Sequence, residues 1–456
     1  MFTHALEQKY FEALERRLQS NPFEAMLGSQ THLNGRDTEA LRKRFDDSVL
    51  DPPYKDLDEF VNVFFGDLIE GIAAAPKSVL FVSLVPYFVQ LKLAKMLERH
   101  GYRVFVLSVQ PVVDHIKRMF CESFGDVYNT GGSYQVLQTL LEKISPTIAY
   151  VQCWMWHYNV GRLVLDHCSA EHRVCDFYDI TSVFAEPDKL QVAFDRGQID
   201  MDHYLERYIL KNADVVVSRY AEPTNRQWTR SHGVDRPILR FNAYPVSDYV
   251  SLKAIKRPKS PYRLVYAGGL IPSNLPPGLF PEAFMWNMFE VICAQGIEVD
   301  VLHDPHRALM DDEAVYGPYV ALAEREPKFR MRDGVTPDLL AQVLQQYDFG
   351  ILLADFSQAR SELTWAQRSG VFATKLLSYI EAGLPIIVNA EYSAMAKFVD
   401  RFNIGVAVTT EEVGALHDII SVLDYREMQR AIRSYLANNC MAVMIHDLFD
   451  AMGDIS

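Results

Sequence analysis

The sequence of 456 residues has six cysteines, Cys121, Cys153, Cys168, Cys175, Cys293 and Cys440, with no C-x-x-C pair and no regular spacing. That disfavours a zinc site or a disulfide framework, and the six are read as reduced thiols of a cytoplasmic protein. No run reaches about 18 apolar residues, so no membrane-spanning helix is expected. The first residues, MFTHALEQKYFEALERRLQ, have no apolar core flanked by basic residues, and no signal peptide is expected. Cations are outnumbered, with 45 Lys and Arg against 59 Asp and Glu and a net charge of -14. Such a field repels nucleic-acid phosphates and anionic lipid heads, while a local basic pocket stays compatible with it. G-x-G-x-x-G is missing, which argues against a nicotinamide oxidoreductase. No D-x-D stretch sits at an expected strand end, and no metal site is expected.

What is present is an alternation of apolar runs and amphipathic stretches. Residues 1–75 are mostly helical in pattern: Leu6, Tyr10, Leu14 and Leu18 mark one face, and Phe60, Val63, Phe64 and Leu68 another, with DPPYKD between them. From Lys77 the texture changes. KSVLFVSLV is a continuous apolar run of the kind found in a strand buried on both faces. A helical stretch with Val89, Leu93, Met96 and Leu97 on one side follows, then the strand YRVFVLSVQ. The alternation continues through TIAYVQC, HRVCDFYDI, ADVVVSRY and PILRFNAYP. Residues 246–262 are polar, basic and proline-bearing and read as a linker. Then it resumes with YRLVYAGGL, IEVDVLHD, YDFGILLA, PIIV and IGVAV. The expected fold is α/β, with two tandem Rossmann-like doubly wound domains and an N-terminal helical extension. The expected divisions are 1–75 extension, 76–245 first domain, 246–262 linker, 263–435 second domain and 436–456 a C-terminal helix packing back on the first domain. Ligands of such sheets lie beyond the carboxyl ends of the strands, here in a cleft between domains.

Two motifs point into that cleft. In YAGGL, Gly268 and Gly269 let the backbone approach a ligand closely, although a plain strand-to-loop turn has the same letters. In FATKLLSYIEAGLPIIV, Thr374 is a plausible helix N-cap and Lys375 the first helical residue, with Phe372, Leu376, Tyr379 and Ile380 as the buried stripe. A cation at a helix start opposes the helix dipole, at a cost of about 0.3–1 kcal/mol if exposed. A bound anion such as a diphosphate would reverse that penalty. Gly383 closes the helix and Pro385 opens the next strand.

These residues, together with YDFGILLA and RFNIGVAV, resemble the donor-binding half of the GT-B glycosyltransferases over about 150 residues. The resemblance implies a nucleotide-diphosphate sugar as donor substrate, no tightly bound cofactor, and an acceptor hydroxyl held by the N-terminal domain, as in glycan or glycoconjugate synthesis. It places Gly268 and Gly269 under the donor phosphates, Lys375 at the diphosphate and transferred sugar, and the loop carrying Val335 at the base. Arg360 and Arg368, in the segment leading to Lys375, are further phosphate candidates. Many retaining members carry two glutamates separated by seven residues; the matching positions here hold Gly370 and Ser378. Ser378 would then bond a ribose hydroxyl, with Glu381, one turn on, as the substitute acid. The missing pair leaves two rivals open, a nucleotide-sugar epimerase of the same fold and a non-catalytic nucleotide-sugar-binding or scaffold protein.

In the first domain, CWMWHYN places His157 after a strand, where it could exchange a proton near neutral pH, with Trp154 and Trp156 expected to cap the sheet. CDFYDITSVF puts Asp179 just beyond another strand end. Inverting transfer needs a base beside the acceptor hydroxyl, and Asp179 is the first candidate, His157 the second.

Overall fold

The structure, a computed structural model, describes residues 57–453 apart from 111, 113, 195, 304–312 and 358–361. The helical face expected at Leu6–Leu18, the DPPYKD break and Arg360 therefore lie outside the described residues.

Seven parallel strands form the first sheet: β1 (Ser78–Ser83), β2 (Arg103–Ser108), β3 (Val127–Asn129), β4 (Ile148–Cys153), β5 (His172–Phe177), β6 (Val215–Ser218) and β7 (Leu239–Arg240). Their order is β3-β2-β1-β4-β5-β6-β7. Six more parallel strands form the second: β8 (Arg263–Ala267), β9 (Glu298–His303), β10 (Phe329–Asp333), β11 (Phe349–Leu352), β12 (Ile386–Asn389) and β13 (Gly405–Val408), in the order β10-β9-β8-β11-β12-β13. Every residue of β1 and β4 is buried, which is why these strands read as unbroken apolar runs. Strand order reverses between β1 and β4 and between β8 and β11. The loops after these four strands therefore bracket the crevice where a doubly wound sheet holds its ligand.

The helix Leu57–Ala73 buries Val61, Phe65, Leu68 and Ile72 against the first sheet's core, while Val63 and Phe64 are 59% and 37% exposed. The sequence expectation of a face through Val63 and Phe64 is corrected by this. Two apolar stripes with helical spacing lie side by side on one helix, and only the one that packs on Phe105, Leu137 and Leu140 is core. The apolar signal of PILRFNAYP also outruns its structure, since β7 keeps only Leu239 and Arg240.

The two domains interlock. Helix Met441–Met452 contributes Met441, Ile445, Leu448 and Phe449 to the core of the first sheet beside Phe81 and Val106. Residues 363–370 dock on the first domain: Leu363 bridges Ala185, the Thr364 N–H donates to Phe184 O at 3.0 Å, and Tyr220 Oη donates to Gln367 Oε1 at 2.6 Å. Phe184 and Phe194 of the first domain pack with Leu279 and Phe280 of the second.

Candidate active site

Helix Lys375–Ala382 lies over the crossover of the second sheet, and one side chain fixes its height. Tyr379 Oη accepts the Ala267 N–H at 3.0 Å and donates to Ile351 O at 3.1 Å, bridging the ends of β8 and β11. Its ring sits against Gly350; a Cβ there would stand 2.3 Å from it. The helix start, with Thr374 in the N-cap position but making no side-chain cap, is thereby held at the carboxyl edge of β8. Gly383 closes the helix in the left-handed region at φ 71°.

Lys375 folds onto the glycine turn. Gly268 has φ +139°, a region other residues rarely adopt, and a Cβ on it would stand 2.2 Å from Lys375 Cε. Lys375 Nζ donates to Tyr266 Oη at 2.6 Å, and that hydroxyl donates to Gly269 O at 2.9 Å. Gly268, Gly269 and Lys375, predicted separately from the sequence, thus form one unit with Tyr266 as its tie. Tyr266 is the residue that opens YAGGL, so its signal was adjacent to the motif.

Glu282 was not anticipated. It belongs to the turn Pro281–Phe284, which follows the glycine loop, and it is half-buried. Tyr392 Oη donates to its Oε1. Burial raises its pKa, while the Tyr392 bond and Lys375 lower it. The sequence cue was a proline-led helix start, PEAF, shortly after the glycine turn.

Across the cleft, Asp179 accepts Trp154 Nε1–H at 3.0 Å, and its backbone carbonyl accepts Tyr158 Oη at 2.6 Å. Burial raises the Asp179 pKa, while Arg219 and the Trp154 bond pull it down. The Arg219 guanidinium lies 3.4 Å from the centroid of Tyr178. Beneath Tyr178, Asp176 accepts Tyr150 Oη at 2.9 Å, and burial pushes its pKa up to about 6. Gln90, Asp176, Arg219 and Asn242 line a small recess there, each with a buried polar atom that has no partner among the described residues.

His157 is the N-cap residue of helix Tyr158–His167, and burial takes its pKa down to about 4. It is therefore neutral at pH 7 and a weak base. Its neighbour Trp156, at φ 69°, packs on Phe194 with centroids 4.0 Å apart, and its N–H donates to Asp202 at 3.0 Å.

The remaining candidates are spread out. Val335 is half-buried in the loop after β10. Arg368 is half-buried on helix Trp365–Gly370, and its Nε is buried with no partner among the described residues. Ser378 is 6% exposed in the second turn of its helix. Glu381 stands at the opposite end of that helix from Lys375, about 9 Å along its axis at 1.5 Å per residue. There it accepts Lys92 Nζ at 2.8 and 2.7 Å and the Val246 N–H at 3.2 Å. Lys92 belongs to the first domain, so the carboxylate is spent on an interdomain ion pair. Gly370 is closed to any side chain: a Cβ would meet Thr224 Oγ1 at 2.1 Å, and its carbonyl accepts the Ala221 N–H at 2.8 Å. Among the described residues no group of three or more His, Cys, Asp or Glu is placed to hold a metal ion. No helix of the described residues is long and apolar enough to cross a membrane.

Residues 305–439 match the family described as glucosyltransferase 3-like, C-terminal domain. No curated protein sequence matches the chain. Among solved structures, Anabaena HepE in complex with UDP and glucose is similar over 83% of this chain and 100% of its own, with a TM-score of 0.57 and 12% identity. Sucrose-phosphate synthase from Thermosynechococcus elongatus is similar over 83% and 100%, with a TM-score of 0.54 and 13% identity. At such identities the likeness is one of fold. The chain thus shares the two-domain fold of these structures, and its residues 305–439 match a glucosyltransferase-type domain.

Proposed function

We propose that this protein is a glycosyltransferase that moves a hexosyl group from a UDP-sugar to an acceptor hydroxyl in the cytoplasm, with Lys375 at the diphosphate and Asp179 as the base. The observation that carries the reading is the contact of Lys375 with Gly268, tied through Tyr266. It fixes an ammonium at a helix N-terminus on the carboxyl edge of the sheet, where a leaving diphosphate needs positive charge. UDP is the nucleotide of the solved HepE complex. Six free cysteines, four of them buried, suit a reducing compartment.

In the reaction the acceptor oxygen forms a bond to the anomeric carbon as the bond to the diphosphate oxygen breaks. The electron pair leaves with the diphosphate, whose growing charge faces Lys375 and the helix start, with Arg368 as a second cation. Asp179 takes the acceptor proton. Burial raises its pKa and makes it a stronger base than an exposed aspartate, while Arg219 and the Trp154 bond moderate the rise. On this reading cationic side chains stabilise the leaving diphosphate, and chelator is expected to leave UDP binding intact; a strict metal requirement would contradict it.

Lys375→Ala is expected to weaken UDP binding at least tenfold and uridine binding less than twofold; equal losses would remove Lys375 from the diphosphate. Asp179→Asn is expected to spare UDP binding and to slow transfer by about 100-fold or more. Unchanged transfer would remove it as the base.

A further inference from the structure

A sugar in transfer is bonded on one side to the leaving diphosphate and approached on the other by the acceptor oxygen. If Lys375 holds the first and Asp179 deprotonates the second, the transferred ring lies between them. Glu282 stands at the carboxyl edge of the second sheet, on a turn bonded to the end of β11 and packed on the first-domain segment that follows Asp179.

We infer that Glu282 is a specificity-determining residue of the donor site, its carboxylate receiving hydroxyl groups of the transferred sugar while Tyr392 holds it in place. The inference rests on the sugar-transfer reading above. Its geometry is built from both sides. The turn Pro281–Phe284 is pinned to the end of β11 by the bond from the Asp355 N–H to Pro281 O, at 3.1 Å. It is pinned to the first domain by Phe280 against Phe184, with centroids 5.5 Å apart. Tyr392, from the loop after β12, engages Oε1. An ionised carboxylate offers about four acceptor sites, so one tyrosine leaves capacity for the sugar. Glu282 is half-buried and not fully enclosed by protein. Sugar hydroxyls are donors, and a fixed carboxylate is the strongest neutral-ligand acceptor a protein has. A nucleoside diphosphate without the sugar has no group for it. An extra anion at Glu282 would be repelled.

The test compares UDP with UDP-glucose, UDP-galactose and UDP-N-acetylglucosamine by calorimetry, on the full chain and on Glu282→Gln and Glu282→Ala. The expected result is a loss of tenfold or more for the preferred UDP-sugar in Glu282→Ala, a smaller loss in Glu282→Gln, and UDP affinity within twofold of the parent. The spread of affinities across the three sugars should also narrow. Glu282→Gln keeps the shape and the Tyr392 contact, so it reads the charge even if Glu282→Ala folds poorly. Parent-like binding of UDP-sugars in Glu282→Gln, or equal losses for UDP and UDP-sugars, would overturn the inference and leave the sugar-transfer reading standing. A parent chain that binds no UDP-sugar would overturn both.

Discussion

Lys92→Met should separate two uses of Glu381, as a domain clasp and as a ribose ligand. The Lys92 and Glu381 side chains are 2% and 4% exposed, and the ammonium reaches both carboxylate oxygens. Burial raises the Glu381 pKa, and Lys92 opposes that rise. Removing one member of a buried pair typically costs about 3–5 kcal/mol, because the other is left uncompensated. For domains of this size 1 kcal/mol shifts the melting point by about 2–4 °C, so Lys92→Met should melt roughly 10 °C lower. Adding Glu381→Gln removes the stranded charge yet keeps a carbonyl for the Val246 N–H, and should restore most of the loss. The assay is thermal unfolding of the four chains of this double-mutant cycle, with UDP affinity measured alongside. UDP affinity should stay within twofold in Glu381→Gln, since the residue lies a full helix length from Lys375. Additive losses in the melting point would refute the clasp. A tenfold loss of UDP affinity confined to Glu381→Gln would refute the structural role and return the residue to the donor.

Gly268→Ala should lower UDP affinity at least tenfold and melt a few degrees lower. Its φ of +139° strains any side chain, by about 1–3 kcal/mol, and its Cβ would displace the lysine 2.2 Å away. Parent-like UDP binding by calorimetry would show that Lys375 need not sit on the turn. Asp202→Asn should change the dependence of stability on pH. Burial pushes the Asp202 pKa up to about 8, against 3.8 for an ordinary aspartate, while Thr181 and the Trp156 N–H bond to it. Between those values the folded chain holds a proton that the unfolded chain has lost, so this residue's contribution falls as pH rises. Asparagine has no such proton. The melting point of Asp202→Asn should therefore gain on the parent from pH 5 to pH 8 and hold that gain above it; parallel curves would refute the shift.

The sheets were legible because strands buried on both faces leave a local trace. SVLFVS, IAYVQC and FGILLA each read as apolar runs without any knowledge of their neighbours. β3 left no such trace, having three residues of which only Val127 is buried. The glycine turn and the helix-start lysine were each visible, but their contact was not, since Tyr266 and Lys375 stand 109 positions apart. Glu381 shows the limit more sharply. One turn along a helix from Ser378, it has the right spacing for a substitute acid. What decides its role is a lysine 289 positions away. Helical periodicity fixes which residues share a face, and says nothing of which charge the opposite face will meet. The stripe on helix Leu57–Ala73 was misread for the same reason, as its partner surface belongs to residues far along the chain.

The first of the two absent acids has a structural setting. At Gly370 the space is taken by Thr224, and the carbonyl is engaged by the Ala221 N–H. An acid there would have to break the seam between helix Trp365–Gly370 and the first domain. That seam is what holds residues 363–370 against the loop bearing Phe184. Gly370 is therefore committed to an interdomain contact that leaves no room for a carboxylate. A donor site with Lys375 and Arg368 but no nearby acid would hold a diphosphate firmly while offering the sugar few acceptors. On the proposed reading Glu282 supplies one, on a turn that the first domain buttresses through Phe280. On this reading the acid has not been lost but moved, from the helix beside the diphosphate to the turn beside the sugar. Binding of the sugar and docking of the two domains then depend on the same short segment.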